Sequence, residues 1–82
     1  MNVERIDQPV RVLAAFEGGQ CSPLRFVWNG RTYAVDRVNG RWVDRQGDAP
    51  ALNYSVQVAE ETFYLRFDTE QMLWRLEQVI LP

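Results

Sequence analysis

Residues 24–44 read LRFVWNGRTYAVDRVNGRWVD, in which three apolar-alternating runs are joined by two Asn-Gly pairs, Asn29-Gly30 and Asn39-Gly40. An Asn-Gly pair between such runs is the strongest short-range signal for a two-residue hairpin, because a type I′ turn needs a positive φ at both central residues. Two pairs in succession predict a three-stranded antiparallel meander. Alternating runs on both sides of it predict that further strands are added to this meander.

The strand pairing within the meander follows from its two turns. The first turn gives a consistent register, which an aromatic cross-strand pair helps to fix. Alternation is less clean across the second turn, so we expect a bulge near Asp36 that resets the side-chain faces. The predicted pairs are Trp28–Arg31, Phe26–Tyr33, Arg37–Trp42 and Val35–Asp44.

One more strand is predicted upstream of the meander. Residues 1–8 contain little that could pack and are expected to be a flexible N-terminal lead-in. Residues 9–17, PVRVLAAFE, alternate in polarity and predict a strand that starts at Pro9, where a missing amide is tolerated. Residues 18–23, GGQCSP, predict a loop that contains the lone Cys21.

A connector and a second hairpin are predicted downstream. Residues 46–53, QGDAPALN, are rich in turn formers and predict an irregular connection. Residues 54–67 alternate cleanly on both sides of Glu60-Glu61, which predicts a hairpin with one fully apolar face. The predicted pairs are Tyr54–Phe67, Val56–Leu65 and Val58–Phe63.

The last segment, DTEQMLWRLEQVILP, permits two interpretations. Its apolar residues fall at helical spacing, and Asp68 with Gln71 resembles a capping box, so periodicity by itself favours a helix. A strand would instead place Trp74 opposite Phe67 and Leu76 opposite Leu65, across a four-residue turn at residues 69–72.

The amino-acid composition indicates a small folded domain rather than a disordered or membrane-spanning chain. The 82 residues are 46% hydrophobic and 12% aromatic, which is too apolar for a disordered chain and suits one small folded domain. No apolar run approaches the roughly 18 residues that a membrane span needs. The first ten residues lack a signal-peptide pattern and there is one cysteine, so we expect a reducing, cytoplasmic location.

The charges are unevenly distributed along the chain. Residues 24–45 carry five Arg against two Asp, a net charge of +3, whereas residues 46–82 carry six acidic residues against two Arg, a net charge of −4. This asymmetry suggests polarised surfaces. The overall net charge of −2 and the pI near 5.0 nevertheless predict weak binding to free nucleic acid.

Catalysis and metal binding are not expected. The chain has no His and no Lys, and the lone Cys21 has no evident base to activate it, so neither general-base nor covalent catalysis is predicted. A zinc site needs several Cys or His ligands, which this sequence does not provide. We therefore predict a protein that is not an enzyme and carries no cofactor.

The basic meander contains the candidate binding residues. Small β-barrels bind single strands of nucleic acid with stacking aromatics and phosphate-binding arginines, and Trp, Tyr and Arg also dominate protein interfaces. The alternative is that the aromatics pack locally, for example Arg37 over Trp42, while the arginines are solvated. The candidate residues are Arg31, Arg37, Arg41, Trp28, Tyr33 and Trp42.

The chain resembles a small bacterial family of unknown function whose members occur alone or appended to Y-family DNA polymerases of the ImuB-like kind. The resemblance rests on an aromatic-x-Trp-x-Gly-x-x-Tyr-x-Val core, a later Arg-Trp and a closing Trp-x-Leu-Glu. The matching positions are Phe26, Trp28, Gly30, Tyr33, Val35, Arg41, Trp42, Trp74, Leu76 and Glu77. The family is all-β, which implies a closing strand rather than a helix, and it implies a setting in DNA-damage tolerance.

These observations predict a single all-β domain over residues 9–82. It would be an antiparallel hairpin meander of about six or seven strands, forming a curved sheet or a small SH3-like barrel. The expected function is a non-catalytic interaction module that is accessory to DNA repair or translesion synthesis, with a polymerase or a second copy as its partner. The alternatives are a single-stranded nucleic-acid-binding barrel and a structural homodimerising domain.

Overall fold

Strands account for most of the chain. The computed structural model describes residues 1–45 and 47–82, and within them it contains β-strands and no helix, which confirms the predicted all-β class. Within these residues the strands number eight rather than six or seven, because the N-terminal segment is also a strand. They are β1 (Asn2–Pro9), β2 (Arg11–Glu17), β3 (Gln20–Trp28), β4 (Arg31–Ala34), β5 (Arg37–Asp44), β6 (Ala51–Val58), β7 (Glu61–Asp68) and β8 (Leu73–Leu81).

The eight strands form two antiparallel sheets, which do not close into a barrel. One sheet has five strands in the order β1-β8-β7-β6-β5, and the other has three in the order β2-β3-β4. The chain passes from one sheet to the other at Val10 and again at residues 35–36. At the second crossing the Asp36 amide donates a hydrogen bond of 2.8 Å to the carbonyl of Gln57, which directs β5 toward β6.

The hydrophobic core lies between the two sheets. Alternate residues of β6, β7 and β8 point inward, as the period of a strand requires, and β3 contributes Cys21, Pro23 and Phe26 from the other side. The five-stranded sheet therefore supplies most of the core. Its buried members are Tyr54, Val56, Phe63, Leu65, Phe67, Trp74, Leu76 and Val79.

The first Asn-Gly pair forms the predicted hairpin turn. Asn29 has a φ of +51° and Gly30 a φ of +72°, as a type I′ turn requires. The register that this turn imposes on β3 and β4 is also the predicted one, with Phe26 opposite Tyr33.

The second Asn-Gly pair does not form a turn, so the predicted three-stranded meander is wrong. Asn39-Gly40 lies inside β5, where the register against β6 shifts between Val38 and Gly40, and neither residue of the pair has a positive φ. The expected irregularity near Asp36 is a strand break, and the bulge lies at Asn39. Long-range contacts decide the path, because Val38 packs on the core and the Asp36 carboxylate accepts a 2.7 Å hydrogen bond from the Ala59 amide.

The hairpin of β6 and β7 has the predicted buried face with a different register. Its turn is Ala59-Glu60 rather than Glu60-Glu61, so Val56 pairs with Phe63 instead of Leu65. Side chains alternate with a period of two, and this pairing is displaced by two residues, so the same residues stay on the buried face.

The C-terminal segment is a strand. β8 pairs with β7 as the strand interpretation predicts, with Trp74 opposite Phe67 and Leu76 opposite Leu65. The apparent capping box is a turn instead, because Asp68 Oδ1 accepts hydrogen bonds from the amides of the second and third residues after it, at 2.9 and 3.1 Å. Burial of Trp74 and Leu76 against β7 outweighs the helical spacing of the segment.

The sequence predicted a flexible lead-in over residues 1–8, but the structure forms a strand there. Within residues 1–8 the chain already forms β1, which pairs with β8 and places Val3 opposite Ile80. Only Ile6 of this strand is half-buried, and its other side chains are exposed. The strand therefore depends mainly on backbone pairing with β8. Because its side chains are mostly exposed, its sequence does not show the apolar alternation by which a strand is predicted.

Two predicted loops are shorter than expected. The β2–β3 hairpin turns at Gly18-Gly19, so β3 begins at Gln20 and Cys21 is buried in a strand rather than placed in a loop. The connector predicted over residues 46–53 ends early, because β6 begins at Ala51. Gln46 of that connector lies outside the described residues.

Candidate functional site

The six candidate residues do not share one surface. Three lie in the three-stranded sheet, namely Trp28, Arg31 and Tyr33, and three lie in β5, namely Arg37, Arg41 and Trp42. Within β5 the side chains divide again. Arg41 is paired with the core residue Tyr54, whereas Trp42 is paired with Asn53 on the face that points away from the core.

Trp28 and Tyr33 belong to an aromatic cluster that joins the two sheets. The ring of Phe63 in the five-stranded sheet lies 6.3 Å from that of Trp28 and 5.3 Å from that of Tyr33, centre to centre. Phe26 stacks on Tyr33 at 5.2 Å, and the guanidinium of Arg31 lies 5.9 Å from the same Tyr33 ring centre. These aromatics are engaged in packing between the sheets, and base stacking by them stays a prediction.

Arg41 connects the sheets at the other end of β3. Its guanidinium donates hydrogen bonds to the carbonyl of Cys21 at 3.3 Å and to Ser22 Oγ at 3.3 and 3.4 Å. It also lies 5.8 Å from the ring centre of Tyr54. The Tyr54 hydroxyl donates to the same Cys21 carbonyl at 2.8 Å, so one backbone oxygen accepts two side-chain donors across the sheets.

Tyr54 is the titratable group with a clear electrostatic perturbation. Burial raises the pKa of Tyr54 above its usual value, and Cys21 raises it further, while the positive charge of Arg41 lowers it by less. The folded protein therefore keeps this phenol protonated and able to donate to Cys21.

Trp42 and Arg37 lie on the outer face of the five-stranded sheet. Trp42 is 46% exposed and meets the edge of Tyr64 with ring centres 6.0 Å apart. Arg37 is exposed as well. Farther along this face, Arg66 donates to Asp44 Oδ2 at 3.2 Å, so its charge has an anionic neighbour within the chain.

The sheets separate beside Arg41 and leave an open hollow of about 200 Å³ between β3 and the β5–β6 pair. Its apolar wall includes Val43, which is 46% exposed, and the half-buried Leu52. The sequence prediction missed both residues, since Leu52 was placed in the connector. The alternation of Leu52 with the buried Tyr54 and Val56 was the signal that extends the strand back to residue 51.

Two features, a cluster of metal-binding side chains and a membrane-spanning helix, are absent from residues 1–45 and 47–82. These residues contain no group of three or more His, Cys, Asp or Glu side chains that could hold a metal ion. In the same ranges there is no helix long and apolar enough to cross a membrane. The expectation that the protein has no cofactor stays a prediction.

Comparison with known proteins identifies a family. A family model described as a domain of unknown function, DUF6504, matches residues 1–79 and so includes β1. No curated protein matches the chain, and neither does any solved structure. The match agrees with the expected resemblance to a family of unknown function, whereas the association with Y-family polymerases stays a prediction.

Proposed function

The chain belongs to the DUF6504 family, a domain of unknown function, and from its surface we propose that it is a non-catalytic interaction module. The observation that supports this proposal is Val43, which is 46% exposed on the wall of the open hollow beside the half-buried Leu52. Exposed apolar side chains that line a concave surface typically mark interaction sites.

The hollow has the features of a small docking site. Leu52 and Val43 provide an apolar wall, and the exposed Trp42 on the opposite face of β5 extends the apolar surface around this edge strand. Arg41 is held in place by its bonds to Cys21 and Ser22, so this part of the rim loses little side-chain entropy on binding. The free energy of binding a partner would therefore come mainly from the burial of apolar surface.

As the setting we propose DNA-damage tolerance, with a Y-family polymerase of the ImuB-like kind as the partner. The support is the sequence resemblance, in which Trp42 and its neighbour Arg41 are among the matching positions. Both residues line the hollow, so the resemblance includes part of the proposed docking surface.

The experiment is a calorimetric titration of the purified domain with the ImuB-like polymerase of the same genome. We expect binding that survives about 0.5 M salt, because apolar burial is not screened as charge contacts are. Val43→Asp should abolish binding. Val3→Asp is the matched control, since Val3 is 55% exposed on β1, outside the hollow. Absence of heat with the wild-type domain at two well-separated temperatures would refute the polymerase as partner, because apolar burial gives binding a large heat-capacity change and therefore a measurable heat at one of them.

A second candidate function is weak binding of single-stranded nucleic acid by the outer face of the five-stranded sheet. The exposed Trp42 beside Tyr64, with Arg37 on the same strand, favours this candidate. Fluorescence anisotropy with a labelled oligonucleotide tests it at low and at physiological salt. We expect binding to be lost at higher salt and in the Arg37→Ala/Trp42→Ala variant. Salt-independent binding would contradict phosphate contacts.

A further inference from the structure

β2 is an edge strand that lacks the usual protection against pairing with another chain. In the part of the chain that the structure describes, β2 pairs with β3 alone, and five of its seven residues are exposed. They include Leu13, 49% exposed, and Phe16, 70% exposed. An exposed apolar edge presents unpaired backbone groups that act as a template for another strand.

The other N-terminal edge strand, β1, is protected. It carries Glu4, Arg5 and Asp7, its register against β8 shifts between Arg5 and Gln8, and Asp7 has a φ of +52°. Charges and a bulge are the devices by which edge strands avoid pairing. β2 has neither charges nor proline between residues 12 and 16, and the irregularity in its pairing, between Leu13 and Ala14, places the extra residue, Leu24, on β3.

The sequence of β2 is complementary to itself in the antiparallel direction. It reads RVLAAFE, so a two-fold axis at its central residue, Ala14, places the terminal charges of opposite sign against each other. Each large residue then faces a smaller one across the axis. The pairs between copies are Arg11–Glu17, Val12–Phe16, Leu13–Ala15 and Ala14–Ala14.

The terminal charges of β2 cannot satisfy each other within one chain. Arg11 and Glu17 are six residues apart in an extended strand, a separation of about 20 Å. Neither side chain makes a hydrogen bond or ion pair to another residue among those described. In the antiparallel pair, each charge would meet its opposite on the second copy.

We propose that β2 pairs antiparallel with β2 of a second copy about a two-fold axis at Ala14, joining the two three-stranded sheets into one of six strands. Such an isologous contact closes as a dimer and leaves no further β2 edge. Because strand faces alternate, the two charge pairs lie on the face that carries Leu13. Phe16, which is 70% exposed, is covered by Val12 of the second copy.

This surface adjoins the proposed docking site, since Phe16 and Glu17 line a shallow hollow that Leu52 also reaches, but the residues that the two proposals depend on are different. The dimer contact lies on β2, whereas Trp42 and Val43 lie on β5. Self-association is therefore measured without any partner, and polymerase binding is measured with variants that leave β2 unchanged. Val43→Asp should leave dimerisation intact, so failure of either proposal does not imply failure of the other.

The test is sedimentation equilibrium of the full chain over a concentration series. We expect a monomer–dimer equilibrium whose Kd rises about tenfold or more in Glu17→Arg and in Arg11→Glu, since each creates two like-charge contacts. The double variant Arg11→Glu/Glu17→Arg restores the opposite pairing and should recover the wild-type Kd. Glu4→Arg on β1 is the matched control and should leave the Kd unchanged.

A crosslink checks the position of the axis. Facing residues of an antiparallel pair have Cα atoms about 4.5–5.5 Å apart, which suits a disulfide. Ala14→Cys should form an intermolecular disulfide under mild oxidation, and the more exposed Ala34→Cys on β4 should not. A monomer at all concentrations, a Kd indifferent to charge reversal, or equal crosslinking at both positions would each overturn the proposal. Melting curves confirm that every variant is folded.

Discussion

The two sheets of this domain are stabilised in different ways. The five-stranded sheet buries alternate residues along β6, β7 and β8, and these form most of the core. The three-stranded sheet leaves most residues of β2 and β4 exposed and is fixed to the core chiefly through β3. One sheet is thus held by the burial of many side chains, the other by a few anchors and by its own local geometry.

The turns show the same contrast. The exposed sheet turns at Gly18-Gly19 and Asn29-Gly30, and all four residues have a positive φ that Gly and Asn tolerate well. The buried sheet accepts less suitable residues, with Ala59 at a φ of +52° and Met72 at +55°. Packing stabilises strand pairs whose turns are poor, whereas a solvated hairpin depends on good turn chemistry.

The largest expected effect comes from removing the anchor of the exposed sheet. Phe26→Ala deletes a fully buried ring that contacts Phe63, and we expect a loss of about 3–5 kcal/mol in the free energy of unfolding. Denaturant unfolding measures the loss. Hydrogen exchange should accelerate more in β2 and β4 than in β7. Val27→Ala, on the opposite face of β3, is the control, and an equal loss there would contradict this anchoring role.

A matched pair of leucines tests the difference in burial directly. Leu76→Ala in the buried sheet should cost about 2–5 kcal/mol because the side chain is fully buried. Leu24→Ala in the exposed sheet removes a side chain that is 49% exposed and should cost less than about 1 kcal/mol. Chemical denaturation of both variants provides the measurement, and similar midpoints would show that the sheets contribute alike.

The hydrogen bond from the Tyr54 hydroxyl to the Cys21 carbonyl connects the two sheets and should make the stability of the domain fall at alkaline pH. Because the pKa of Tyr54 is raised in the folded state, an unfolded tyrosine, with a pKa of about 10, ionises first. The unfolded state then binds fewer protons, so this contribution to stability is complete below about pH 10 and is lost as the pH rises beyond it. Tyr54→Phe should lower stability by about 1 kcal/mol at neutral pH and reduce this alkaline loss. Thermal melts over a pH series measure both, with Tyr64→Phe as the control.

The smallest expected effects lie in the turns, and they have opposite signs in the two sheets. Ala59→Gly relieves a left-handed backbone and should stabilise the domain by about 0.5–1 kcal/mol. Gly30→Ala introduces that strain at a φ of +72° and should destabilise it by about 1 kcal/mol, although the added Cβ meets no atom within 4 Å. Shifts in melting temperature report both changes. Shifts of the same sign would show that turn strain does not distinguish the sheets.

The two Asn-Gly pairs show when a local sequence signal is sufficient to predict a hairpin turn and when it is not. Asn29-Gly30 forms its turn because the strands on both sides, β3 and β4, pair with each other. Asn39-Gly40 has the same chemistry and similar flanking runs, yet it lies inside β5, because β5 gains more by pairing with β6 over the core. The bulge at this position accommodates the pair without a turn.

The candidate site was predicted only in part for the same reason. The sequence correctly placed Trp28 and Tyr33 on neighbouring strands, since that depends on a local turn. The sequence could not show that Arg41 and Trp42 lie in the five-stranded sheet, where their side chains point to opposite faces. The exposure of Val43 beside a hollow likewise depends on how the two sheets separate.

By itself the sequence determined the all-β class, the turn at Asn29-Gly30 and the residues that form the buried face of β6 and β7. These features depend on backbone preferences and on a period of two, which neighbouring residues set. Tertiary structure decided the pairing of β1, the partner of β5, the strand form of β8 and the division of the arginines between surfaces. Each of these depends on contacts between residues far apart in sequence, whose burial energy exceeds the local preferences that oppose it.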